Sequence, residues 1–236
     1  MNVVGALRVK NEARWIKRAI ESILPICDSV VVFDDASTDG TVAICRAIRR
    51  VAVFRSVFTT LDESRDKNLL MRYAMSTSKV DWLLMIDGDE VLMPGKAASL
   101  RLAMQTTKSR ALALPVWYLW DREDQRRVDG VYANMSRVSA FRPGAERFES
   151  TAHGGNFHCG NAPQGILGRV LVDAPLLHFG YMDRADRLRK YSWYNGQDPD
   201  NEAEDRYRHV VQGDMSHVPA SAKLKHAGPL KLELFG

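Results

Sequence analysis

Asp81-Trp82-Leu83-Leu84-Met85-Ile86-Asp87-Gly88-Asp89-Glu90 is the stretch that decides the fold. An unbroken apolar run passes straight into a cluster of carboxylates. Unbroken rather than alternating hydrophobicity predicts a strand covered on both faces, as in parallel sheets packed between helices. The same pattern occurs upstream, where Val30-Val31-Val32-Phe33 runs into Asp34-Asp35. In open α/β sheets, ligands bind beyond the carboxyl ends of the strands. Two buried strands that both end in acid therefore point to one crevice lined with carboxylates. Asp87 and Asp89 stand i, i+2 around Gly88, whose backbone freedom suits a tight loop that turns both toward one cation. Their hard oxygens suit Mg²⁺ or Mn²⁺, which complete their shells with substrate phosphate oxygens. Taken singly, Asp-Gly-Asp reads as a surface turn and Asp34-Asp35 as a helix-capping region. Their pairing in one chain favours a nucleotide site.

Working outward, residues 3–9 read as a first strand. Trp15/Ile16, Ala19/Ile20 and Ile23/Leu24 form a helix face that Pro25 ends. Ser37-Thr38-Asp39-Gly40 is a turn that starts a helix, with Val42, Cys45 and Ile48 as its stripe. A strand is expected over 51–57, a helix over 65–76 and a strand over 80–86. Beyond residue 110 the expectations are strands over 111–119 and 131–141, a Gly- and His-rich loop over 150–168 and a strand over 171–179. A basic helix over 184–194 and a polar helix over 202–211 follow, and the tail 216–236 is expected to be irregular or mobile. The fold class is thus α/β, a mostly parallel, Rossmann-like sheet flanked by helices, with a smaller mixed C-terminal part. One domain is expected over 1–215, with 216–236 as an appendage.

Composition sets the outer bounds. The chain has 236 residues, 45% hydrophobic and 26% charged, with a net charge of +4. That is a globular composition, and it excludes disorder of the whole chain. The apolar stretch 111–120 is about half the length of a membrane-spanning helix. Arg8, Lys10, Glu12 and Arg14 interrupt any secretory signal. Cys27, Cys45 and Cys159 contain no C-x-x-C and argue against a disulfide framework. A cytoplasmic protein, with peripheral membrane contact as an option, is the expectation.

Arg8-Val9-Lys10-Asn11-Glu12, Val32 through Thr41 and Asp81 through Glu90, with Glu63-Ser64-Arg65-Asp66-Lys67-Asn68 between them, resemble family 2 glycosyltransferases of the GT-A fold. The last motif looks like that family's D-x-D signature. The resemblance implies a nucleotide-sugar donor such as a UDP-sugar, a divalent cation (Mn²⁺ or Mg²⁺) and transfer with inversion at the anomeric carbon. It implies that Asp34 or Asp35 holds the base, that Arg8, Asn11 and Glu12 line the same pocket, and that Arg65 faces the nucleotide or diphosphate. Asp87 would reach the ribose or the cation and Asp89 would ligate the cation. Residues 1–110 would then form the donor half and 111–215 the acceptor half.

An inverting transferase needs a base for the acceptor hydroxyl. Arg147 to His153 resembles a segment that ends in a His-Glu pair in relatives, but Gly154 follows His153 here. Glu149 is preferred as base, with His153, Glu146 and Asp183 as alternatives. His178 ends a predicted strand and fits a third cation ligand through its imidazole. His153, His158 and Cys159 match no structural zinc spacing. Trp117, Tyr118 and Trp120 suit either a sugar-stacking wall or a core.

The acceptor is expected to be a saccharide or glycolipid. Arg184, Arg187, Arg189 and Lys190 on the basic helix, with Lys223, Lys225 and Lys231 in the tail, leave open contact with a membrane surface or with a nucleic acid carrying a hydroxylated base. A nucleotidyltransferase is disfavoured because the loop after the first strand has no glycine to cradle a triphosphate. A non-catalytic nucleotide-sugar-binding protein remains the alternative from another class.

Overall fold

The computed structural model describes residues 1–76, 79–150, 159–197, 207–212 and 230–235. Along the chain run β1 (Val3–Val9), α1 (Ile16–Ile23), β2 (Ser29–Asp34), α2 (Thr41–Ala47), β3 (Val51–Arg55) and α3 (Glu63–Ser76). They are followed by β4 (Trp82–Met85), β5 (Glu90–Leu92), α4 (Ala97–Thr106), β6 (Ala111–Trp120), β7 (Arg122–Arg127) and β8 (Ser136–Phe141). The last elements are β9 (Arg169–Leu171), β10 (Leu176–His178), α5 (Arg184–Gln197) and β11 (Leu232–Leu234). The chain divides into two compact units, Met1–Val116 with Ser136–Leu176, and Trp117–Met135 with Leu177–Gly236.

In the first unit β1 lies between β2 and β4, parallel to both, and β3 extends the sheet beyond β2. β8 runs antiparallel to β4, and the first half of β6 pairs with β8 and with β9. Alternate residues of the apolar strands serve opposite faces, which is why the runs are continuous. Val3, Leu7 and Val9 of β1, with Trp82 and Leu84 of β4, pack on the side of Ile16, Ala19, Ile20 and Ile23 of α1. Val4 and Ala6, with Leu83 and Met85, pack on the side of Leu70, Met71 and Ala74 of α3. Gly5 lets α1 lie close, since a Cβ there would stand 2.8 Å from Ile23 Cδ1.

The second unit is smaller. Within it the end of β6 pairs antiparallel with β7, and β7 with β11. Trp120, Tyr132, Tyr181 and Val210 form its core, with Tyr118, Tyr194, Leu230 and Leu232 packed against them.

Several expectations need correction. The strand expected over 131–141 begins only at Ser136, because Gly130–Tyr132 is a 3₁₀ turn that sends the Tyr132 ring into the second unit's core. The strand expected over 171–179 is two strands, interrupted before Leu176 by Pro175, which has no N–H to give a ladder. Residues 232–234 of the expected irregular tail form a strand, and Arg208–Val211 is a 3₁₀ turn. The rest of the expected 202–211 helix, with Lys223 and Lys225, lies outside the described residues. Among the described residues no helix is long and apolar enough to cross a membrane.

Candidate functional site

β1 has neighbours on both sides, so the chain reverses its order across the sheet at this strand. Such switch points are where open α/β sheets bind ligands. The register sets Asp34 level with Val9 and Met85 level with Ala6. Both acidic turns therefore leave the same edge of the sheet, on either side of the loop that follows β1.

The first turn is densely paired. Asp34 is fully buried, and its Oδ2 accepts from the Ser37 amide at 3.2 Å and from Arg55 Nε at 3.3 Å. Its Oδ1 is buried without a partner among the described residues. Asp35 Oδ2 accepts from Arg8 Nη2 at 2.8 Å and Lys10 Nζ at 3.4 Å. Arg8 Nε in turn donates to Asp66 Oδ2 at 3.0 Å, and Asp66 Oδ1 takes Arg65 Nε and Nη2 at 2.9 and 2.8 Å. The result is an alternating chain of charges, Arg65–Asp66–Arg8–Asp35–Lys10, with Asp66 fully buried in it. Arg65 also donates to the Thr60 carbonyl at 2.8 Å and lies 3.9 Å over the Phe58 ring.

The loop after β1 is strapped to the Ser37–Thr41 turn. Asn11, at φ 56°, donates its amide to Ser37 Oγ and accepts from the Thr38 amide, both at 2.8 Å. The Glu12 amide donates to Thr41 Oγ1 at 2.8 Å. Asn11 and Glu12 thus shape the loop through their backbone and side-chain bonds to a neighbouring turn. Ala36 also adopts a positive φ of 52°, a region that costs a residue with a Cβ about 1–2 kcal/mol.

The second turn holds three carboxylates. Asp87 Oδ2 lies 3.1 Å from Arg137 Nη2, and its Oδ1 accepts from Asn161 Nδ2 at 3.3 Å. Arg137 Nη2 also donates to Glu90 Oε2, which accepts from the Asp87 amide at 3.0 Å as well. Glu90 is fully buried, and burial pushes its carboxyl up to about 7 against the pull of Arg137. Asp89 is buried beside them. Gly88 has no positive φ, so the backbone freedom expected of it is not what requires glycine. A Cβ there would meet Glu12 Cγ at 2.8 Å and Val9 Cγ1 at 3.0 Å. Glycine is required because the β1 loop presses against the turn.

α3 fixes the neighbouring loops. Lys67 is buried, and its ammonium donates to the carbonyls of Cys159 and Gly160 at 2.6 and 3.2 Å and to Asn161 Oδ1 at 3.1 Å. Asn68 exchanges two hydrogen bonds with the Phe148 backbone, at 2.9 and 3.0 Å. Glu149, next in the chain, is exposed. Glu146 is engaged by Arg110 at 2.6 Å, which lowers its carboxyl below the usual range. His153 and His158 lie outside the described residues.

His178 belongs to the second unit, its ring 4.6 Å from that of Tyr118 and 4.9 Å from that of Tyr181. In that unit Trp120 lies beneath the guanidiniums of Arg127 and Arg187 at 4.8 and 4.3 Å, a core position. Arg187 is buried and donates to the carbonyls of Tyr181 and Met182 and to Asp121. Its charge is therefore not offered to an external phosphate. Asp66, Lys67, Arg137 and Asn161 escaped sequence reasoning. Asp66 and Lys67 stood in a quoted motif, but Arg137 and Asn161 reach the turn only through tertiary pairing.

Among the described residues no three His, Cys, Asp or Glu side chains form a ready-made metal cage. Hard carboxylates on one turn still fit Mg²⁺ or Mn²⁺, since such ions are commonly held by one or two carboxylates together with substrate phosphates.

Residues 7–161 match the family model for glycosyl transferase family 2. An uncharacterized glycosyltransferase of Rickettsia bellii is 31% identical over 149 residues, which are 61% of this chain and 48% of that protein. An uncharacterized protein of Mycobacterium tuberculosis is 24% identical over 214 residues, 85% of this chain and 51% of the relative. The chain spans about half the length of these curated relatives. Among solved structures, Staphylococcus aureus TarS 1-349 in complex with UDP is similar at 16% identity and a TM-score of 0.47, over 60% of this chain and 47% of that one.

Proposed function

The chain belongs to glycosyl transferase family 2, and on that premise we propose that it moves a sugar from a nucleotide-sugar, most simply a UDP-sugar, to an acceptor hydroxyl with inversion. The observation that carries this reading is the convergence of the two acidic turns. Arg8 bonds Asp35 on one side of β1 while Glu12 packs on Gly88 on the other, so one loop joins both turns at one crevice.

In this reading Asp35 is the carboxylate that takes the base: both are buried and bonded, but the Asp34 side chain is wholly enclosed with Ser37 and Arg55, while that of Asp35 keeps a trace of exposure beside Arg8 and Lys10. Arg8 and Lys10 hold the Asp35 carboxylate in place by donating to its Oδ2. Asn11 and Glu12 hold the pocket wall to the Ser37–Thr41 turn. Arg65 stiffens the pocket through Asp66 and, with part of its side chain exposed, would face the nucleotide or the diphosphate. Asp89, with Asp87, would hold Mg²⁺ or Mn²⁺. When bound, that ion supplies a Lewis acid for the departing diphosphate.

The acceptor oxygen attacks the anomeric carbon as the bond to the diphosphate oxygen breaks, and the nucleoside diphosphate leaves with the electron pair. Glu149, exposed beside the clamped Phe148, takes the acceptor proton. A saccharide or glycolipid is the proposed acceptor class.

The test is release of UDP from a panel of UDP-sugars in the presence of Mn²⁺, with UDP binding measured by calorimetry. Turnover of one donor with loss on chelation is expected. Absence of both UDP binding and release across the panel would overturn the reading.

A further inference from the structure

The acidic turn carries its own cation. β8 runs antiparallel to β4 with Leu84 opposite Ala140. Continuing that register three residues sets Arg137 level with Asp87, beyond the last paired residues. From there one guanidinium nitrogen meets both Asp87 Oδ2 and Glu90 Oε2. Glu90 also takes the Asp87 amide, so side chain and backbone of Asp87 are fixed through the same carboxylate. Asp87 and Arg137 both keep part of their side chains exposed, at 39% and 26%.

The geometry points to Arg137 as a positioning residue that competes with a divalent cation for Asp87 and yields only when a diphosphate is present. This rests on the reading of the turn as the donor's cation site. A guanidinium at 3.1 Å cancels much of the field that would draw a cation to Asp87. A diphosphate changes the balance. Its oxygens ligate the cation, and they also accept the guanidinium fork, for which phosphate is a good bidentate partner. Cation and nucleotide then bind together, each strengthening the other by the same factor. Free cation is held weakly, and the turn stays formed without it.

The experiment follows binding of Mn²⁺ by the electron paramagnetic resonance signal of the free ion, with and without UDP. Arg137→Met should bind Mn²⁺ alone about tenfold more tightly than wild type, with the gain from UDP reduced by a similar factor. A role confined to holding the fold would weaken both. Because Arg137→Met leaves Glu90 buried without its guanidinium, the double variant Glu90→Gln/Arg137→Met carries the same expectation and is used if the single one does not fold. Folded variants with equal or weaker Mn²⁺ binding, beside a wild type that binds Mn²⁺ with UDP, would overturn the role of Arg137 alone. A wild type that binds no Mn²⁺ even with UDP would overturn the donor-site reading, and this inference with it.

Discussion

The two acidic turns look alike in sequence and are held by different kinds of pairing. Asp34 and Asp35 are met by Arg55, Arg8 and Lys10, and Asp66 adds a further link to Arg65. At the other turn Asp87, Asp89 and Glu90 stand together, and Arg137 pairs with two of them. The first turn is a neutralised lattice whose geometry is set before any ligand arrives. At the second, one guanidinium is shared by Asp87 and Glu90, Asp87 stays partly exposed, and Asp89 is buried close by. Strand-end acid is thus two devices, and the partners brought by other strands decide which one it becomes.

The sharpest way to break this contrast is Asp89→Ala. Turnover should fall about a thousandfold while the melting temperature barely changes, since the loss is of transition-state charge stabilisation. Activity that persists at the wild-type level in a chelator would remove the distinction between the turns.

Asp66→Asn strikes the lattice of the first turn instead. It leaves Arg8 and Arg65 facing each other without their buried anion. Unfolding in urea should show a loss of about 3 kcal/mol, with weaker UDP binding and an unchanged response of the remaining binding to Mn²⁺. A neutral outcome would show that the charge chain does not hold the pocket.

A third test uses pH. The Glu90 carboxyl is raised from the ordinary value of 4.5 to about 7, chiefly by burial. The folded protein therefore holds a proton that the unfolded chain releases, so without metal this group's contribution to stability falls as pH rises from about 4.5 to about 7. Glu90→Gln should remove that slope, as read from melting temperature against pH. Identical slopes in the two proteins would contradict the placement of Glu90.

The smallest effect is expected at Ala36, held at φ 52°. Ala36→Gly relieves left-handed strain but loosens the unfolded chain, and should stabilise by about 0.5 kcal/mol. A clear loss in thermal unfolding would mean that the first turn depends on the Ala36 methyl.

What the sequence disclosed follows the range of the forces involved. Apolar runs and the helical stripes of α1 and α3 are local, so the parallel core and its acid-tipped strands were legible. Arg137 was not, because its partner turn lies some fifty residues away and the antiparallel pairing of β4 with β8 has no local signature. β7 was missed because its Arg122–Arg127 run is charged and largely exposed, which resembles a loop. Gly88 was singled out correctly for the wrong reason. Periodicity can suggest that a glycine bends the chain, but not that Glu12 will press against it.

Diffraction from a crystal soaked with UDP and Mn²⁺ tests the central claim most directly, through the anomalous signal of the metal. The expected result is a manganese peak within ligand distance of Asp89 and the diphosphate, with the uracil against Asp35. A nucleotide bound away from these two turns, or a manganese peak with no carboxylate of residues 87–90 beside it, would contradict it.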